Sequence, residues 1–484
     1  MANSTDRLLH VYFFPFLAHG HLIPTVDMAK LFAGRGVKTT IVTTPLNAPN
    51  FSATTTTGPD IQTRLIDFPA AEFGLPAECQ NLEFISAHNK GWEGVSQFTR
   101  AAVALREPFE KLLEQDRPDC LVADMLFPWA TESAAKFGIP RLIFHGTSFF
   151  ALAAGDAVAT HEPQNRVSSD DESFVIPGLP DEVRFTRRQL PSRQTTGSSE
   201  KEEDFMFEFF KRVGESSSEC FGTVVNSFYE LEPAYADHYR RVLGRRSWHV
   251  GPVSLCNADD RAVRGKEATI GRDECLKWLE SKEPNTVVYV SFGSIVKFSA
   301  EQMREIAIGI EASECQFIWV VRECHQEDDG NNWLPEGFED RTSGRGMIIR
   351  GWAPQVLILD HAAIGALVTH YGWNSTLEGI TAGLPMVTWP VMADQFYNEK
   401  LVTEVVRIGV SVGGREWSVD GGGTVGHAAV ESALRRVMSR EVEEVMGMHR
   451  RAKALGEMAR KAVEEGGSSY FDLSALIEEL RSQT

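Results

Sequence analysis

Apolar and polar positions along this chain follow two rhythms that take turns. Leu8 to Phe14 is an apolar, aromatic run of strand length, as expected of a strand buried on both faces. Ile23 to Phe32 repeats apolar residues at helical spacing and stops at Gly34-Arg35-Gly36, and Val37 to Thr43 returns to strand. Strand, helix, strand at this spacing predicts parallel pairing through a right-handed crossover. The rhythm restarts near Thr286, where Val287 to Ser291 runs into the small-residue turn Phe292-Gly293-Ser294, followed by helix 300–313 and strand 317–321. The predicted fold is therefore α/β, with two doubly wound, Rossmann-like domains facing across a cleft, where ligands bind at the carboxyl ends of both sheets. The expected divisions are a first domain over 1–256, a polar linker over 257–269, a second domain over 270–465, and a last helix within 466–484. Polar loops are expected at 163–174, 194–203 and 325–332.

Length supports two cores, since 484 residues exceed what one core fills. A net charge of −19 argues against nucleic acid and anionic membrane surfaces as partners. It also requires an anionic ligand to be held by local dipoles. The seven cysteines are odd in number, scattered and never spaced CxxC, which suits reduced thiols and provides no zinc site. The N-terminus lacks a basic segment before a long apolar one, and no stretch approaches a membrane span. A cytoplasmic monomer is expected.

The chemistry concentrates between Trp352 and Gln395. Leu367 to Thr369 is a short strand, His370-Tyr371-Gly372 a turn, and Trp373-Asn374-Ser375 opens a helix that Gly383-Leu384-Pro385 stops. Such a junction aims unpaired N–H groups and the positive end of a helix dipole at one point, which favours an anion. His370, Asn374 and Ser375 add side-chain donors, so two phosphates can be held without a metal or a basic patch. Asn374 and Ser375 could instead serve only as helix caps. Trp352, after the strand Met347 to Arg350, offers an indole plate for a uracil ring, with backbone groups around Ala353 and Gln355 to read its edge. Glu378 lies one helical turn beyond Asn374, placed to accept from a ribose diol. Asp394 and Gln395, after the apolar run Met386 to Val391, suit the hydroxyl rim of a hexose.

This box resembles the signature of plant secondary-product glycosyltransferases, which move sugar from a UDP donor to small lipophilic acceptors. The resemblance extends over nearly the whole chain. Thr43 to Ala48 and Asn226 to Glu232 look like the subgroup acting on flavonoids, triterpenoids and other phenols. The resemblance implies the GT-B arrangement, an acceptor-binding first domain, a UDP-sugar-binding second domain, and a C-terminal helix returning to the first. It also implies a phosphate contact at Ser294, inversion at the anomeric carbon, no cofactor and no metal beyond the UDP-sugar co-substrate. Gln395 at the end of the box goes with UDP-glucose. The box usually carries Cys after its histidine; here Tyr371 stands there, which could tilt the loop or bring a phenol toward the acceptor.

A general base is expected across the cleft, on the turn after the first strand, where two histidines stand. Gly20-His21-Leu22-Ile23-Pro24 matches the step that carries the base in the resembling family, and a helix N-terminus beside His21 would keep its imidazole neutral. His19 remains the alternative base, or an acceptor-pocket residue. Asp124 ends the apolar strand Cys120 to Ala123 and is expected to orient His21. Phe127, Phe149 and Phe150 are the candidate apolar wall of the acceptor pocket. Two further readings stay open. Gly421 to Gly426 satisfies GxGxxG, as in a nicotinamide-dependent dehydrogenase, although no clean strand leads into it. A non-catalytic binder of nucleotide sugars would keep the box without needing a base.

Overall fold

In the computed structural model, the described residues are 8–49, 61–88, 90–191, 200–257, 269, 272–321, 333–418 and 421–483. Fifteen strands occur among them. β1 (His10–Phe14), β2 (Lys38–Thr43), β3 (Ile61–Leu65), β4 (Cys120–Asp124) and β5 (Arg141–His145) belong to the first half. A small hairpin follows, β6 (Ser173–Val175) against β7 (Arg184–Thr186), and then β8 (Gly222–Val225) and β9 (Ser247–His249). The second half holds β10 (Val287–Ser291), β11 (Gln316–Val321), β12 (Gly346–Arg350), β13 (Ile364–Thr369), β14 (Met386–Thr388) and β15 (Gly409–Ser411).

Two parallel sheets result, ordered β3-β2-β1-β4-β5-β8-β9 and β12-β11-β10-β13-β14-β15. β1, β4, β5, β10 and β13 are buried at every position and largely apolar, as expected of central parallel strands covered on both faces. In each sheet the order reverses once, between β1 and β4 and between β10 and β13. A reversal separates two crossover loops and opens a crevice at the strands' carboxyl ends.

The helix His19–Ala33 starts four residues before the predicted Ile23, so both histidines lie in its first turn and not in a preceding loop. The helix Ser468–Arg481 sends Leu473, Leu476, Ile477 and Leu480 into the apolar core of the first sheet. Asp472 accepts from Arg240 at 2.6 Å and from the His249 backbone at 2.9 Å, and Ser469 donates to the Gly251 carbonyl at 2.6 Å. A separate apolar cluster joins Phe149, Phe150 and Tyr235 of the first half with Tyr371, Trp373 and Phe396 of the second. Of the predicted loops, 163–174 contains a single 3-10 turn, Pro163–Arg166, and the first residues of β6. Residues 192–199 and 325–332 lie outside the described residues, as do 258–268 of the predicted linker and Cys324.

Candidate active site

Both order reversals open on one cavity of about 1010 Å³. The helix after β1 brings His21 to its wall, and the end of β4 places Asp124 behind His21. His21 Nδ1 lies 2.7 Å from Asp124 Oδ2, while Asp124 Oδ1 accepts the Leu126 N–H at 2.9 Å. The two carboxylate oxygens are thus each engaged, and Arg141 donates to the main-chain carbonyl of Asp124 at 3.0 Å, which pins the backbone behind them. The Asp124 side chain is wholly buried, whereas His21 keeps 29% of its side chain exposed toward the cleft. Burial disfavours the imidazolium, but the charge of Asp124 and its hydrogen bond, with Glu83 and Asp394 further off, outweigh burial and raise the His21 pKa. The predicted lowering by the helix end is thus overturned: a neighbouring carboxylate acts at hydrogen-bond distance, and a helix end supplies only partial charge.

β10 and β13 deliver the opposite wall. Gly372 occupies the N-cap of the helix Trp373–Ala382 without any side-chain cap, and Gly383 ends it at φ 75°. Asn374 and Ser375 are therefore not cap residues. The His370 ring is clamped between two glycines: a Cβ on Gly293 would lie 2.5 Å from its Cε1, and one on Gly372 2.6 Å from its Nε2. Gly293 also has φ +69°, so glycine is required there on two counts. Burial pushes the His370 pKa down to about 4, leaving a neutral imidazole. Gln355 Nε2 donates to Glu378 at 2.8 Å and to Ser375 Oγ at 3.1 Å. Glu378 is 8% exposed and faces the cavity, so it is not a solvated charge on the helix surface. Trp352, Ala353 and Ser294 line the same space.

Several of these groups are already engaged across the cleft. Pro24 has no N–H to give the carbonyl four residues back, that of Gly20, and Asn374 Nδ2 donates to this oxygen at 2.6 Å. Trp373 Nε1 donates to the Asn226 carbonyl at 2.7 Å, so its ring is a wall and its N–H is committed. Asp394 Oδ2 accepts from Thr147 at 2.5 Å and from Asn398 at 3.0 Å; burial raises its pKa against the pull of both bonds. Gln395 Oε1 accepts the Val391 and Met392 N–H groups at 2.8 and 2.9 Å, so only its amide nitrogen can face a ligand. Ser294 Oγ donates to Glu83 Oε1 at 3.2 Å.

Sequence reasoning missed Glu83 and Thr147. Thr147 lies two residues beyond the end of β5, and its position at a strand's carboxyl end could have found it. Glu83 sits on the short helix Leu82–Ala87, which carried no signal.

The predicted apolar wall is not there. Phe127 is stacked 4.1 Å from Phe14 in the core. Phe149 and Phe150 pack on His249 and Tyr235, at 4.7 and 4.8 Å between ring centres. They open the helix Phe149–His161, where side chains point back into the interior. Their N–H groups donate to Glu232, whose pKa burial pushes up to about 7. Tyr371 does not approach the acceptor either. It is fully buried in the shared apolar cluster at φ 68°, and its carbonyl accepts from Asn398 at 2.9 Å. Gly421 to Gly426 is not a dinucleotide turn: β15 ends well before it, and a Cβ on Gly421 would lie 2.7 Å from the Lys297 carbonyl, which marks close packing. Among the described residues no three His, Cys, Asp or Glu side chains are grouped to hold a metal ion, and no helix is long and apolar enough to cross a membrane.

Residues 60–450 match the family described as UDP-glucoronosyl and UDP-glucosyl transferase. A scopoletin glucosyltransferase from Nicotiana tabacum is 54% identical over 98% of each chain. A UDP-glucose flavonoid 3-O-glucosyltransferase from Fragaria ananassa is 52% identical over 99% of this chain and 98% of its own. The crystal structure of a Glycyrrhiza uralensis protein complexed with glycyrrhetinic acid 3-O-monoglucuronide superposes with a TM-score of 0.88 at 40% identity, covering 98% of this chain and 96% of that one. With two Rossmann-like sheets meeting at one cavity, and with relatives matched from end to end, the chain belongs to the UDP-glucoronosyl and UDP-glucosyl transferase family and is a GT-B UDP-glycosyltransferase.

Proposed function

We propose that this enzyme transfers glucose from UDP-glucose to a hydroxyl of a small phenolic or terpenoid acceptor, with inversion to a β-glucoside. The observation that carries the reading is the 2.7 Å contact of His21 with Asp124, with His21 lining the same cavity as the start of the helix Trp373–Ala382. His21 Nε2 takes the proton of the acceptor hydroxyl, and the oxygen attacks the anomeric carbon. The bond from that carbon to the β-phosphate oxygen breaks, and UDP leaves as an anion toward the helix end. Asp124 fixes the tautomer and stabilises the imidazolium as it forms.

In this reading Trp352 stacks the uracil, with Ala353 beside it, and Glu378, braced by Gln355, accepts from the ribose hydroxyls. His370, Ser294, Asn374 and Ser375 donate to the diphosphate. Charge grows on the phosphate as the bond breaks, so these donors act most strongly in the transition state. Asn374 must release Gly20, or use its second N–H, to take part. Asp394 and the Gln395 amide face the hexose, and a missing partner there would leave a buried polar group unpaired. The names of the Nicotiana and Fragaria relatives support a phenolic acceptor and glucose as the sugar.

The test is UDP release, with mass spectrometry of products, from UDP-glucose and a panel of flavonols, coumarins and triterpenoids. A gain of one hexose on a phenolic or terpenoid acceptor is expected. In competition for one acceptor, flux from UDP-glucose should exceed flux from UDP-galactose; equal or greater galactose transfer removes the donor assignment. Donor hydrolysis without any glycoside would remove the acceptor assignment.

A further inference from the structure

His19 has no part in the reaction as drawn, yet it is 6% exposed and lines the cavity, with its ring centre 6.2 Å from that of Trp352. Its Nδ1 lies 3.0 Å from Glu83 Oε1, within ion-pair distance but off the line of a hydrogen bond, and its Nε2 has no partner. The same Glu83 oxygen accepts the His19 backbone N–H at 2.7 Å and Ser294 Oγ at 3.2 Å, while Oε2 is buried and unpartnered. A carboxylate therefore holds the serine hydroxyl that the donor diphosphate needs.

When phosphate takes that hydroxyl, two anionic groups come to lie around one serine, one of them the buried Glu83. The other charged groups facing the space do not help. Glu78, Glu378 and Asp394 are acidic, and no lysine or arginine lines the cavity among the described residues. Of the remaining histidines, His370 is neutral, His21 is tied to Asp124, and His88 Nδ1 donates to the Phe84 carbonyl of its own helix. The His19 imidazole lies beside Glu83 and lines the cavity with Nε2 unpartnered, and a proton on it would pair with both anions.

We propose that His19 is a donor-binding residue that takes up a proton from solvent when the UDP-sugar enters, pairing at once with Glu83 and with the diphosphate, and returns it when UDP leaves. This rests on placing the diphosphate at Ser294 and the helix start. The experiment is calorimetric titration with UDP-glucose near neutral pH, in two buffers of different ionisation enthalpy. UDP-glucose is the probe because its diphosphate has no proton to exchange in that range, unlike the terminal phosphate of UDP.

The wild-type heat should differ between buffers in the sense of proton uptake. The difference should persist in His21→Ala and vanish in His19→Gln, which keeps a polar side chain but has no basic nitrogen. His19→Gln should bind the donor about tenfold more weakly. Adding Glu83→Gln to it should recover most of that loss, because the opposing charge is gone; a merely structural contact would instead show two additive losses. Equal heats in both buffers, or uptake that survives His19→Gln, overturns the proposal. Absence of any binding heat overturns the diphosphate placement itself.

Discussion

The two order reversals share one strand-turn-helix plan but assemble their sites in opposite ways. At β10 and β13 most groups facing the cavity come from residues 352–395, and several are braced within the same half: His370 between Gly293 and Gly372, Glu378 by Gln355, Gln395 by the Val391 and Met392 N–H groups. At β1 and β4 the groups are far apart in sequence. His21 needs Asp124, more than a hundred residues on, and Glu83 and Thr147 arrive from two other connections. The first arrangement suits a ligand part that does not vary, a nucleoside diphosphate, whose cradle can be one preformed block. The second suits a proton transfer whose geometry is fixed while the surrounding loops are free to differ between acceptors.

This contrast breaks most sharply at the base. His21→Ala should lower kcat by about 10²–10⁴-fold, the range for losing a general base. The dissociation constant for UDP should hardly change, because the groups assigned to the nucleotide come from the other half of the chain. Steady-state kinetics and calorimetry check the two halves of the statement. A kcat loss matched by an equal loss of UDP affinity would mean the two regions are not separable.

The reverse experiment is Glu378→Ala. It should weaken UDP by about 1.5–3 kcal/mol, the range for hydrogen bonds to a charged partner, with little effect on turnover at saturating donor. Calorimetric titration with UDP reads it. The bracing by Gln355 makes a null result informative: ribose recognition would then lie elsewhere in the cavity.

What the sequence revealed follows the same division. The strand-turn-helix of the box was legible because its hydrophobic period changes sharply at Gly372 and ends at Gly383, where φ 75° requires glycine. The helix Ala300–Ser313 was legible for a similar reason: the Ser299 side chain caps its start. The His21–Asp124 contact was legible because strand ends point to a crevice whatever their separation in the chain. Partners and orientation were not. Nothing local shows that the Asn374 amide points at Gly20, since that bond exists only because Pro24 leaves a carbonyl free in the other half. Phe127, Phe149 and Phe150 misled because the same apolar side chain serves a core or a pocket, and only packing decides. Tyr371 misled in the same way, its ring turned into the core by a left-handed backbone.

Gly293→Ala tests the bracing in a milder way. The substitution forces a side chain into the left-handed region and pushes a Cβ to 2.5 Å from the His370 ring. The backbone part alone should cost about 1–2 kcal/mol, read as a lowered denaturant midpoint. Displacement of His370 should also weaken UDP, while the acid limb of the pH profile, set in the other region, stays in place. An unchanged midpoint with normal UDP affinity would show that the turn relaxes and the clamp on His370 is loose.

The smallest expected effect is a shift in that pH profile, and it separates the two regions most cleanly. His21 must be neutral to accept a proton, and its pKa in this site is raised above 6.5 because Asp124 outweighs burial. Activity should therefore be low where the imidazole is protonated, rise with pH through that raised value, and level off above it. Measured as kcat/KM for the acceptor at saturating UDP-glucose, the profile reports groups in the donor complex and leaves out any proton taken up as the donor binds. Asp124→Asn removes the charge that raises the pKa but leaves the burial that lowers it. The acid limb should move toward lower pH in that variant, even as the plateau falls because the imidazolium is no longer stabilised. Glu378→Ala should leave the limb where it is. A limb that moves with Glu378→Ala but not with Asp124→Asn would assign the titration to the donor side, and His21 would lose its place as the base.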